Sequence, residues 1–215
     1  MALWMADCTP LTEETALTRA LPHLDTARRA AVTRQQDGQT RAQHAAAGLL
    51  LTRCFGQAGR PPLVAHGAHG KPYLPDKSAH FSLSHTGRFV FLLTASAPVG
   101  LDAQPIDGSR PRVARRCFTP SEQTWLSADP EQRFARLWTM KEAYLKYTGF
   151  GLVLPMSSFT VPLPPTGYDT ATACYWQATE LAGIALAACG DAPLPPLVPH
   201  TVEIPALLQA FEEEQ

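Results

Sequence analysis

Trp138-Thr139-Met140-Lys141-Glu142-Ala143-Tyr144-Leu145-Lys146-Tyr147-Thr148-Gly149-Phe150-Gly151 decides how this chain is read. Its pattern predicts a helix over Gln132–Thr148, the strongest in the chain. Residues four apart share a helix face, so Trp138, Glu142 and Lys146 project in one direction. Taken alone, Glu142 and Lys146 make an i,i+4 ion pair worth about 0.2–0.5 kcal/mol. Gly149 and Gly151 then only stop the helix.

Upstream, Phe81-Ser82-Leu83-Ser84 alternates apolar and polar residues as a strand does, and His85-Thr86-Gly87-Arg88 can turn. The unbroken apolar run Phe89–Thr94 suits a buried strand, and a third short strand is expected at Val99–Ala103. Arg110–Trp125 reads as helix interrupted at Pro120. Residues 10–56 read as helical: Thr12-Glu13-Glu14 starts one helix, Pro22 interrupts it, and a second covers Thr40–Phe55 before Gly56. Residues 57–80, rich in Gly, Pro and His, form loops or edge structure. Downstream, Ser157–Cys189 looks β-rich. Leu181–Cys189 is read as a strand, although its alanines also suit a helix. Residues 191–215 are Pro-rich, then acidic, and are expected to be partly disordered. Helix followed by strands occurs once in each half, with a division at Ala97–Pro98.

Composition excludes several classes. The 215 residues, 45% hydrophobic and 17% charged, suit one large or two small soluble domains. A net charge of −1 argues against a dedicated nucleic-acid binder. Residues 1–100 carry 10 Lys/Arg against 6 Asp/Glu and residues 101–215 carry 8 against 13, too small an asymmetry to name a partner. Five scattered cysteines with no C-x-x-C pair point away from zinc and disulfides, toward a reducing compartment. The first ten residues lack the pattern of a signal peptide, and no apolar run approaches a membrane span. A soluble, cytoplasmic protein is expected.

Four further segments carry candidate chemistry. Pro98-Val99-Gly100-Leu101-Asp102-Ala103-Gln104 places an acid after a short apolar strand, where a lone Asp is usually a turn cap. Gly70-Lys71-Pro72-Tyr73-Leu74-Pro75 and Phe81-Ser82-Leu83-Ser84-His85-Thr86-Gly87 supply Lys71, Ser84 and His85, residues that singly read as surface groups. Phe118-Thr119-Pro120-Ser121-Glu122 makes Glu122 either a cap after Pro120 or another acid of a site. In this order the segments resemble the 4′-phosphopantetheinyl transferases. The opening stretch matches their signature W-[ST]-x-K-E-[AS]-x-x-K-x-x-G-x-G at every fixed position, a long and specific motif. Its Leu152–Val161 continuation is similar to the larger, surfactin-synthetase-activating (Sfp-type) branch. Pro98–Gln104 resembles G-[IV]-D-[IV]-E, with Gln104 where Glu is usual. His44, Gly48 and Arg53 fit the trend R-x-x-x-G-x-x-L-x-R with His44 replacing an arginine. The likeness runs from about Arg28 to Val161.

The resemblance implies an α+β fold, a pseudo-dimer of two similar α/β subdomains with the active site at their interface. Residues 1–97 would form the N-terminal subdomain with the coenzyme A contacts, and 98–215 the C-terminal one with the metal and catalytic motifs. It implies a monomer that moves 4′-phosphopantetheine from coenzyme A to a serine of an apo acyl or peptidyl carrier protein. That reaction is Mg²⁺-dependent and releases adenosine 3′,5′-bisphosphate; nucleic acid and membrane are not expected partners. By resemblance, Asp102 and Glu142 hold Mg²⁺, with Gln104 as a ligand or an orienter of its water. Since Mg²⁺ needs only one or two carboxylates plus substrate phosphates, Gln104 bears on metal affinity rather than on the reaction. Glu142 is the preferred general base and Glu122 the second, while Lys146 stabilises phosphate charge. Lys71, Ser84, His85, Lys141 and Lys146 would contact coenzyme A, and the region of Arg28, Arg29, Arg34 and Arg41 its 3′-phosphate. Arg110, Arg112, Arg115 and Arg116 form either a face for an acidic carrier or an ordinary solvated helix face. Two rival readings are a non-catalytic coenzyme A or carrier-binding module, favoured only by Gln104, and a coenzyme A-dependent acyltransferase. The latter leaves the paired acids unexplained.

Overall fold

A computed structural model describes residues 1–214. Strand β1 (Ala2–Asp7) precedes helices α1 (Glu14–Ala20), α2 (Thr26–Arg34) and α3 (Gly38–Phe55). A small hairpin, β2 (Ala65–His66) and β3 (Pro72–Tyr73), leads to a longer one, β4 (His80–Thr86) and β5 (Phe89–Ala95). Then come β6 (Val99–Pro105), α4 (Pro111–Cys117), α5 (Pro120–Leu126) and α6 (Pro130–Thr148). The chain closes with β7 (Gly167–Asp169), β8 (Cys174–Leu181), β9 (Ile184–Gly190), β10 (Pro199–Val202) and α7 (Ile204–Glu213). The fold is mixed α+β. Among the described residues no helix is long and apolar enough to cross a membrane.

Two four-stranded sheets, ordered β10-β1-β5-β4 and β6-β9-β8-β7, pack back to back between helices. Alternation along the strands builds these layers. On β5, Phe91 and Leu93 meet Leu101 of β6 and Leu186 of β9 between the sheets, whereas Val90 and Leu92 face α3 and its neighbours. On β9, Ala187 and Cys189 turn toward α6. Cover on both faces explains why β5 is an unbroken apolar run.

The helix ends follow their sequences. Asp25, Asp37 and Asp129 accept from the backbone N–H groups of Arg28, Thr40 and Gln132, capping α2, α3 and α6. Gly149 ends α6 in the left-handed region, φ 74°.

Several expectations are corrected. Strand β1 was not anticipated, since Ala-Leu-Trp-Met-Ala-Asp has no β-branched residue and no period-2 burial. β4 runs on through His85 and Thr86 instead of turning there. The Leu181–Cys189 segment is split by Ala182 and Gly183, whose positive φ values, 48° and 78°, form the tight turn between β8 and β9. Through residue 214 the tail carries regular structure, and residue 215 lies outside the described residues. Strand β10 pairs in parallel with β1, and Ile204, Leu207, Leu208 and Phe211 bury one face of α7 against the first sheet's core.

Candidate active site

The site begins where α6 crosses β6. Gly100 allows the approach: a Cβ there would lie 2.0 Å from the Ala143 carbonyl oxygen. Asp102, two residues further along β6, faces the same way, and α6 presents Glu142 and Lys146 toward it. The edge strand β4 of the other sheet runs beside β6 without a backbone ladder. Serine hydroxyls join them: Ser82 accepts from the Leu101 N–H at 2.9 Å and Ser84 from the Ala103 N–H at 3.1 Å.

Asp102 is buried and surrounded by donors. Its Oδ1 accepts from Lys146 Nζ at 2.7 Å and Ser84 Oγ at 2.8 Å, and its Oδ2 from Gln104 Nε2 at 2.9 Å. Lys146 also donates to the Leu83 carbonyl and to Ser84 Oγ, both at 3.1 Å. Glu142 is half-buried, and among the described residues no ion pair reaches it because Lys146 turns to Asp102. Burial first, then the Asp102 charge, raises its carboxyl pKa, with Lys146 opposing.

These groups line a cleft of about 490 Å³ shared with Arg28, His44 and His85. A second, more apolar groove of about 250 Å³, with Phe81, Leu145 and Leu152, has Leu83, Glu142 and Lys146 as common walls. The cleft thus runs from a cationic end, past two carboxylates and a lysine, to an apolar end. Arg28 lies across α3 because Gly48 leaves room: a Cβ at Gly48 would be 2.6 Å from Arg28 Cδ. Arg28 Nε is buried without a hydrogen-bond partner. Desolvation, then the charges of Lys146 and His44, holds His85 below the ordinary histidine range, with Asp102 opposing. Asp25 lies 3.7 Å from Arg28 Nε, beyond hydrogen-bond reach. A buried guanidinium beside two histidines and a lysine thus keeps hydrogen-bonding capacity for an anion.

A sequence model of the 4′-phosphopantetheinyl transferase superfamily matches residues 98–189. Over 184 residues the chain is 30% identical to the 4′-phosphopantetheinyl transferase AcpT of Salmonella typhimurium, covering 80% of this chain and 88% of that protein. The chain belongs to the 4′-phosphopantetheinyl transferase superfamily. It is also similar to the transferase Sfp of Bacillus subtilis, at 36% identity over 58% of this chain and 61% of Sfp. A further B. subtilis 4′-phosphopantetheinyl transferase is 39% identical over 46% of this chain and 47% of its own. These matches span about half to three fifths of the Bacillus proteins, and they place the chain with the Sfp-type branch.

Not every residue singled out by the transferase motifs reaches the cleft. Asp102, Glu142, Lys146, Ser84, His85 and Gln104 line it. The Ser84 hydroxyl, however, is saturated by Asp102, Lys146 and the Ala103 N–H, so it orients Asp102 and has no bond left for a phosphate. Lys71 borders the apolar groove, but its ammonium is held by the carbonyls of Tyr147 at 2.9 Å and Val99 at 3.2 Å, at the C-terminus of α6. Glu122 and Lys141 depart furthest. Both side chains are 0% exposed and pair with each other at 2.8 Å inside the C-terminal half, away from the residues that line the cleft. Of the four N-terminal arginines only Arg28 lines the cleft. Arg29 and Arg34 donate to carbonyls of their own region and Arg41 pairs with Glu14. Sequence reasoning missed Ser82, whose signal was its place two residues before Ser84.

For Mg²⁺ the donor set fits. Among the described residues no cluster of three or more His, Cys, Asp or Glu is placed to hold a metal. Two carboxylates and substrate phosphates suffice for Mg²⁺, and crowding of Glu142 by Asp102 is what a divalent cation relieves. Gln104 donates to Asp102 through its amide nitrogen, so it adds no charge.

Proposed function

We propose that this protein transfers the 4′-phosphopantetheine arm of coenzyme A to a serine of an apo acyl or peptidyl carrier protein, with Mg²⁺. The observation carrying this reading is the convergence of Asp102, Glu142 and Lys146 on one cleft whose other end holds Arg28, His44 and His85. A pyrophosphate and a 3′-phosphate need such cationic partners, and the reacting phosphorus must lie beside a proton acceptor.

Asp102 and Glu142 would hold Mg²⁺, which supplies positive charge to the pyrophosphate. Glu142, directly or through a water, is placed to take the proton of the carrier serine. The serine oxygen then bonds to the phosphorus next to pantetheine, the P–O bond to the nucleotide breaks, and adenosine 3′,5′-bisphosphate leaves. Lys146, fixed by Leu83, Ser84 and Asp102, presents its charge to the phosphate that receives the negative charge. Arg28, His44 and His85 orient the nucleotide end, and the apolar groove takes the less polar arm and the approaching carrier.

On this reading each sheet with its long helix, α3 or α6, is one copy of a single plan, and the site lies between the copies of a monomer. Five unpaired cysteines suit the reducing cytoplasm. The test is incubation with coenzyme A, Mg²⁺ and a panel of apo fatty acid, polyketide and nonribosomal peptide carriers, followed by intact-mass spectrometry. A phosphopantetheine adduct on a carrier serine is expected. No adduct on any carrier, with coenzyme A still bound, supports a binding module instead.

A further inference from the structure

We propose that the buried Glu122–Lys141 pair is a brace that sets one wall of the groove, so that both residues influence transfer through position and neither touches phosphate. Only the effect on transfer rests on the function proposed above.

Lys141 of α6 has three ammonium protons and three acceptors: Glu122 Oε2 at 2.8 Å, the Met156 carbonyl at 2.8 Å, and the Phe159 carbonyl. Its nitrogen also lies 4.3 Å from the centre of the Phe159 ring. Glu122 of α5 accepts from the N–H groups of Thr119 and Val161, each at 2.8 Å. The two charges therefore hold residues 156, 159 and 161, all in the segment that follows α6.

That segment is also held at its far end by burial of Met156 and Val161 and by the Phe159 ring against Tyr144. Between Gly149 and Val161 it forms only two single turns, Gly151–Val153 and Met156–Ser158, and it joins no sheet. Its first residues leave apolar side chains in solvent, with Leu152 82% and Val153 70% exposed. Yet Gly149, Gly151 and Leu152 wall the groove opposite Phe81, next to Glu142 and Lys146. Lys141 immediately precedes Glu142, so one turn of α6 carries a group aimed into the cleft and a group aimed at the support of its wall.

The test is hydrogen exchange by mass spectrometry on the full chain, comparing wild type with the double variant Glu122→Gln/Lys141→Met. The pair is replaced together because removing one partner strands a charge in the core. The double variant is expected to melt cooperatively, with exchange in Phe150–Val161 at least tenfold faster and α5 and α6 protected as before. In the carrier assay its kcat is expected to fall about tenfold, with the pH profile unmoved because neither residue exchanges a proton with substrate. Wild-type exchange in Phe150–Val161, or a displaced pH profile, overturns the proposal. If the double variant does not fold, Glu122→Gln alone keeps an amide oxygen for Lys141 and is expected to speed exchange there at least threefold. Collapse of both variants also overturns it, because the pair then serves the whole core. If wild type modifies no carrier, the transferase reading fails while the exchange comparison still decides the brace.

Discussion

At the scale of single residues, Glu142 is a carboxylate in a half-buried site beside Asp102, with its pKa raised by burial and by that neighbour. A carboxyl whose pKa is raised on folding contributes stability that is full below its unfolded value and lost as pH rises through its folded value. Without divalent cation, the melting temperature is therefore expected to decline above about pH 4.5, the ordinary glutamate value, through this group. Glu142→Gln should flatten that decline and stabilise the metal-free protein at neutral pH by about 0.5–1 kcal/mol, while abolishing transfer. Thermal melts across pH, with and without Mg²⁺, check it. At Gln104, Gln104→Glu adds a charge beside Asp102 and Glu142. Mn²⁺ should then bind about tenfold tighter by electron paramagnetic resonance, equivalent to about 1.4 kcal/mol. The shared face of Glu142 and Lys146 was legible from helical spacing, whereas the turn of Lys146 to Asp102 was not. The interior position of Glu122 and Lys141 was not, because a charge is buried only by partners that arrive from elsewhere in the chain.

At the scale of elements, the crossing of β6 and α6 depends on one missing side chain. Gly100→Ala would press a methyl group against the Ala143 carbonyl and Tyr147, so α6 must move outward. We expect a loss of about 1–3 kcal/mol in denaturant melts, together with lower transfer, since Glu142 and Lys146 ride on the displaced helix. Helices α3 and α6 were legible from their periodicity and their closing glycines, and the break between α4 and α5 from Pro120. The β1 strand was not, because its half-buried pattern follows from lying between β10 and β5 and not from its own alternation. In α7 the apolar spacing 204, 207, 208, 211 was present, but prolines before it and acids after it hid the pattern.

At the scale of the whole molecule, α7 and β10 return to the first sheet and tie the C-terminal segment into the N-terminal core. Leu208→Ala should cost about 2–5 kcal/mol in denaturant melts, comparable to a truncation deep in the core. On the outer surface, Arg112, Arg115 and Arg116 of α4 are exposed, whereas Arg110 is occupied by Asp107 and lies over the Phe134 ring. Charge reversal at Arg112 and Arg116 should raise the KM for the carrier and leave coenzyme A affinity unchanged. Steady-state kinetics with varied carrier, alongside calorimetry with coenzyme A, separates the two effects. The back-to-back packing of the sheets was beyond sequence reasoning, since an apolar strand does not say which partner covers each face.

The seam between β4 and β6 has a further consequence. An unpaired strand edge is a template on which another chain can add a strand. The two longest sheet edges here, seven residues each, face one another across Ser82 and Ser84, while the outer edges are the short β10 and β7 of four and three residues. The same arrangement that opens space for a reaction thus hides the surfaces most prone to self-association. A protein whose halves drew apart at those two hydroxyls would lose its chemistry and its solubility together.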